Sequence, residues 1–133
     1  LLDIDHLKKI NDSFGHPIGD AAICTVADVL QSRLRRNDFA ARIGGEEFAV
    51  LVIEGKADTS ASVARSLLEA LRKRDVPRAG HITASLGIAV YPEDAANRDD
   101  LFKLADKALY RAKNSGRNKV VQVRDSESLS HID

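Results

Sequence analysis

The sequence predicts an α+β fold in which a central, mainly antiparallel sheet is flanked by helices. Three observations carry that expectation. Apolar periodicity alternates between strand and helix in the order β-α-α-β-β-α-β-α-β, without internal repeats or linkers. Two apolar runs, Phe39 to Ile43 and Phe48 to Ile53, flank Gly44-Gly45, the pattern of a tight antiparallel hairpin whose turn uses positive φ angles. The helical stretches carry apolar residues at the spacing of a single buried face.

Taken in order, Leu1 to Asp5 reads as the end of a buried strand, and His6 to Phe14 as a short helix stopped by Gly15. Asp20 stands where a helix N-cap belongs, ahead of Ile23, Val26, Val29, Leu30 and Leu34. After the hairpin, Thr59 or Ser60 opens a third helix with Val63, Leu67, Leu68 and Leu71 on one face. His81 to Tyr91 is expected as a long strand ended by Pro92. Asp99 or Asp100 begins a fourth helix, closed by Gly116, and Lys119 to Val123 is the last strand. The remaining tail is polar and serine-rich, expected to be frayed.

Bulk properties exclude several functions. The 133 residues fit one domain with a real core. Twenty Lys and Arg balance 20 Asp and Glu, which argues against a nucleic-acid partner held by overall charge. Cys24 is the only cysteine, read as a small buried thiol, so there is no disulfide framework. The four histidines show no i, i+4 pair of the kind that holds zinc. Without a signal peptide or a long apolar run, the chain reads as a cytoplasmic domain. Its start within a strand reads as part of a longer parent, whose anchoring to a membrane stays open.

The chemistry concentrates in acids. Glu46 and Glu47 follow a glycine pair that leaves the backbone bare to an approaching polyanion. Strand parity aims the two glutamates at different faces. Asp3 shares a side of the first strand with Asp5. If that strand lies beside the hairpin, Asp3 and Glu46 converge, with the Ile4 carbonyl as a third hard oxygen, a set suited to Mg²⁺. The plain alternative is that each acid is merely solvated.

Several segments then share one resemblance. They are Asp3-Ile4-Asp5-His6 with Lys8, Ile10-Asn11-Asp12, Gly15-His16 and Gly19-Asp20; Arg42-Ile43-Gly44-Gly45-Glu46-Glu47-Phe48; Ser85-Leu86-Gly87; and Ala105 to Lys113 with Gly116-Arg117-Asn118. In order and spacing they resemble the GGDEF family of diguanylate cyclases, over residues 1–124, leaving 125–133 as the tail. Glu46 replaces the Asp of the family name, and Leu7 stands where the family usually has Phe. The family's usual opening, a helix and an Asn-Arg element, is absent.

The resemblance implies a sandwich similar to the palm of nucleotide cyclases and polymerases. It implies condensation of two GTP into cyclic di-GMP and pyrophosphate across a homodimer, with an upstream sensory or regulatory domain in the parent. The alternative is a non-catalytic GTP- or cyclic di-GMP-binding module on the same fold. Mg²⁺ or Mn²⁺ would be held by Asp3, Ile4 and Glu46, and Glu46 or Glu47 would take the 3′-hydroxyl proton. Asn11 and Asp20 would read guanine, whose N1 and N2 donors adenine does not reproduce. The His6 and Leu7 N–H groups, Lys8 and the bare Gly45 backbone would meet phosphate. Lys113 and Arg117 would neutralise the departing pyrophosphate, or merely favour a helix dipole. Arg35 and Asp38 resemble the family's RxxD product-inhibition site, or are a helix end and a turn aspartate.

Overall fold

The computed structural model describes residues 1–53 and 57–125. The expected order of elements holds throughout: β1 (Leu2–Ile4), α1 (Leu7–Phe14), α2 (His16–Arg33), β2 (Phe39–Arg42), β3 (Glu47–Leu51), α3 (Ala57–Arg72), β4 (Ala84–Ile88), α4 (Arg98–Asn114) and β5 (Lys119–Gln122). The strands form one sheet in the order β2-β3-β1-β4-β5. Among the described strands only the β4–β5 pair is parallel; α4 makes the crossover between those strands. The fold is α+β with a mixed, mainly antiparallel sheet.

Strand register divides the sheet into two faces. Leu2 pairs with both Phe48 and Leu86, and Ile4 with Ala84, so these apolar residues share one side. That side forms the main core with Ala22, Val26, Val29 and Leu30 of α2 and Leu67, Leu68 and Leu71 of α3. Asp3 pairs with Glu47 and Ser85, which puts these polar residues on the other face. There α4 packs on β4 and β5 through Ala108, Ala112 and Val121. The approach is close: a Cβ on Gly87 would lie 2.2 Å from the Leu109 nitrogen and 2.4 Å from the Ala105 oxygen. Gly87 thus sets how near α4 lies to the sheet.

Several boundaries differ from expectation for local reasons. Helix α2 begins at His16, with Gly15 at the cap position and Pro17 in the first turn, so Asp20 is no cap. Helix α4 begins at Arg98, because the Asn97 side chain accepts from the Asp100 N–H. Helix α3 opens at Ala57, ahead of Thr59 and Ser60. Strand β4 covers only Ala84–Ile88 of the stretch expected from His81 to Tyr91, and β5 ends at Gln122. Cys24 is exposed, not buried. It lies midway between the buried Ala22 and Val26, which turns it away from the core stripe of α2. The expected frayed tail falls, from residue 126 onward, outside the described residues.

Candidate active site

The end of β1 is where distant parts of the chain meet. A cleft of about 460 Å³ is lined there by Asp3, Ile4, His6, Leu7, Lys8, Glu46, Lys113 and Arg117, with Asp5, Lys9 and Asp12 completing the wall. A larger apolar groove, about 1030 Å³ and flanked by Phe39, Leu51, Tyr91 and Phe102, contains none of these acids. The chemistry belongs to the smaller space.

Asp3 is buried and forms an ion pair with Lys113, whose Nζ lies 2.5 Å from Oδ2. The hairpin is fixed beside it, since the Ile4 N–H donates to the Glu46 carbonyl at 3.0 Å. Partial burial, then the Asp3 charge, push the Glu46 carboxyl above its ordinary value, with Lys113 and Arg117 opposing. Glu47 is raised in the same direction by burial, Asp3 and Asp106, with Lys113 opposing. Both glutamates feel Asp3, yet only Glu46 lines the cleft; Glu47 pairs with Asp3 across β1 and β3. Glu46 lies outside β3, so strand alternation does not govern it.

The glycine pair also differs from expectation. Neither Gly44 nor Gly45 has a positive φ, and Ile43 N–H bonds to Glu47 O, so three residues, Gly44 to Glu46, rather than the glycine pair alone make the turn. A Cβ on Gly45 would meet nothing within 4 Å. Conformation and internal packing both leave the glycines unexplained; open backbone at the tip is what they provide. Arg42 braces that tip from below, with Nε and Nη2 donating to the Gly44 and Gly45 carbonyls at 3.1 and 2.9 Å.

Asp5 is the acid of the Asp3-Ile4-Asp5 run whose carboxylate is taken up by the protein itself. Its buried carboxylate accepts from Thr83 Oγ1, Ser85 Oγ and the Asn118 N–H at 2.7, 2.6 and 2.9 Å. These bonds tie β1 to β4 and to the turn carrying Arg117, and they explain Ser85 in the quoted segments. His6 follows in the left-handed region (φ 58°) and turns the chain into α1. The first-turn N–H groups of α1 have no helical partner, and they open beside the cleft.

Asn11 and Asp20 lie apart from this cleft. They are neighbours of each other through Gly19: a Cβ there would fall 1.7 Å from Asn11 Oδ1. Released from capping, the exposed Asp20 carboxylate is available to a ligand. Arg35 and Asp38 form their own unit. Arg35 Nε and Nη2 donate to Asp38 at 3.2 and 3.3 Å, and Nη2 also to the Ile53 carbonyl at 2.9 Å. Burial raises the Asp38 carboxyl, but the Arg35 bonds and the Ile53 N–H outweigh it and hold the group below its ordinary value. Ile53 lies beyond the far end of β3, roughly 20 Å from Glu47 at about 3.3 Å per residue.

Among the described residues, no three His, Cys, Asp or Glu form a metal-holding group of their own. The Asp3 and Glu46 carboxylates, with Asp3 raising the proton affinity of Glu46, nevertheless suit a hard divalent cation completed by phosphate and water. The family model "Diguanylate cyclase, GGDEF domain" matches residues 1–119. The chain belongs to the GGDEF diguanylate cyclase family. It is 42% identical over 130 residues to the probable diguanylate cyclase DgcT of Escherichia coli, covering 94% of this chain and 28% of that protein. The active GGEEF domain of a diguanylate cyclase from Vibrio cholerae superimposes with a TM-score of 0.84 at 31% identity, covering 92% of this chain and 79% of that one. The GGDEF domain of DgcB from Caulobacter crescentus, solved with c-di-GMP, gives 0.83 at 35% identity, covering 92% and 75%. This GGDEF domain thus spans under a third of DgcT. No helix among its described residues is long and apolar enough to cross a membrane.

Proposed function

We propose that this GGDEF domain is a diguanylate cyclase that joins two GTP molecules into cyclic di-GMP. The observation that carries the reading is the convergence of Asp3, Glu46, Lys113 and Arg117 on one cleft beside an open glycine tip. Asn11 and Asp20 recognise guanine, the α1 N–H groups and Lys8 receive phosphate, and Gly45 leaves room for the triphosphate. Each 3′-oxygen attacks the α-phosphorus of the other nucleotide, a P–O bond to pyrophosphate breaks, and the hydroxyl proton passes to Glu46 or Glu47. Lys113 and Arg117 stabilise the charge on the leaving pyrophosphate. Asp3, Glu46 and the Ile4 carbonyl would hold Mg²⁺ or Mn²⁺, which would supply positive charge against the reacting phosphate.

One chain offers one set of these residues, so two chains related by a two-fold axis complete the reaction. Arg35 and Asp38 form the product-binding site, where cyclic di-GMP must replace the bonds they make with each other. Use of GTP places the domain in the cytoplasm, under an upstream sensory or regulatory domain. The test is incubation with GTP and Mg²⁺ followed by chromatography. Cyclic di-GMP is the expected product; GTP binding without it would favour a non-catalytic binding module.

A further inference from the structure

The turn that carries Arg117 is strained, and its anchor comes from the opposite side of the sheet. Gly116, Arg117 and Asn118 all have positive φ, at 117°, 63° and 49°. Glycine accepts this region and asparagine tolerates it, whereas arginine enters it at a cost. Helix α4 supplies part of the compensation: the Arg117 N–H donates to Ala112 O at 2.9 Å, and Arg117 Nη1 to Lys113 O at 3.1 Å. The remainder acts on Asn118. Its N–H is taken by Asp5. Its side-chain oxygen and its carbonyl are both held by Arg72, Nε at 2.8 Å and Nη2 at 3.0 Å.

Arg72 ends α3, which packs on the face of the sheet opposite α4. It does not line the cleft, so it has no direct use for a nucleotide. A planar guanidinium gripping two oxygens of one residue fixes that residue's orientation, which a lysine ammonium could not do equally well. We propose that Arg72 is a positioning residue: through Asn118 it holds the left-handed turn that aims Arg117 into the cleft. This rests on the reading of Arg117 as a ligand of the β- and γ-phosphates. The alternative is a clamp that only ties α3 to the sheet edge.

The experiment compares binding of the non-reacting guanosine 5′-(α,β-methylene)triphosphate with that of GMP, which lacks the outer phosphates. The chains are the parent, Arg72→Gln, Arg117→Ala and the double variant. Arg72→Gln is expected to weaken the triphosphate about tenfold, the scale of one charge-assisted contact, and to leave GMP unchanged. The double variant should bind no worse than Arg117→Ala, because Arg72 acts only through Arg117. Asn118→Gly keeps the turn accessible but deletes one clamped oxygen, and should give a smaller loss of the same selectivity without unfolding. Equal losses for GMP and the triphosphate, or additive losses in the double variant, overturn the proposal. If Arg117→Ala discriminates the two nucleotides and Arg72→Gln does not, the clamp alone fails. If Arg117→Ala does not discriminate them, the phosphate role of Arg117 fails and the clamp with it.

Discussion

Lys113 Nζ contacts Asp3 Oδ2 at 2.5 Å, so the cation assigned to the leaving group and the carboxylate assigned to the metal neutralise each other before any ligand arrives. Divalent metal and triphosphate arriving together would give each a new partner. The exchange spares the buried Asp3 from standing unpaired, which would be costly.

Removing the lysine exposes that cost. Lys113→Met is expected to destabilise the domain by about 1–3 kcal/mol, between the values for exposed and buried pairs, because Lys113 is partly exposed. Mg²⁺ should then raise the melting temperature of the variant more than that of the parent, having no ammonium to displace. An equal Mg²⁺ response in both chains would contradict the exchange.

Glu46→Gln separates charge from packing. The residue stands at a hairpin tip and contributes little core, so stability should change by only about 1 kcal/mol. Turnover should vanish, as it should in Asp3→Asn. Full activity in either variant would remove that residue from the metal site.

The raised glutamates also set a pH dependence. Between the ordinary value of 4.5 and the higher folded value, the folded chain binds more protons than the unfolded one. Stability from this source therefore falls as pH rises through that window. Relative to the parent, Glu46→Gln and Glu47→Gln should gain stability at pH 7, and the gain should shrink as pH falls through that window and vanish below 4.5. Denaturant melts across that range give the sign directly.

Two glycines test the placement of functional side chains. Gly19→Ala would drive its methyl into the Asn11 amide, so it should weaken guanine nucleotides selectively while the domain stays folded. Gly87→Ala would drive its methyl into α4 backbone and should cost about 1–3 kcal/mol or more, as overpacking does. Loss of folding in the first, or a neutral second, would revise the packing described above.

Arg35→Ala should weaken cyclic di-GMP binding and relieve product inhibition while initial GTP turnover persists. Because Arg35 already holds Asp38 and the Ile53 carbonyl, the parent must break those bonds to bind the product. Asp38→Ala should therefore lower affinity without abolishing it, since Arg35 is then free to meet a phosphate. Unchanged product affinity in Arg35→Ala would place the inhibitory site elsewhere.

Much of the site was legible because each segment that contributes to it carries its own local pattern. The order of elements follows apolar periodicity, and Asp3 meets Glu46 because a strand and a hairpin with those patterns pair. The turn at Gly44-Gly45 misled, since bare backbone and positive φ call for the same residue. Asp20 resembled a cap because acid precedes apolar periodicity there, yet Pro17 already marked an earlier start. Cys24 was placed in the core by residue type, when its spacing from Ala22 and Val26 faces it outward. The Arg72–Asn118 clamp and the Asp5 network join residues 46 to 113 positions apart, and no local pattern reports such bonds.

The dependence of cyclic di-GMP formation on chain concentration, with GTP and Mg²⁺ saturating, tests the half-site account most directly. The rate should rise more steeply than linearly with protein, become linear once the chain is fused to a parallel two-stranded coiled coil, and disappear with Glu46→Gln in either form. Constant specific activity in a proven monomer, or no product from a GTP-binding dimer, would contradict it.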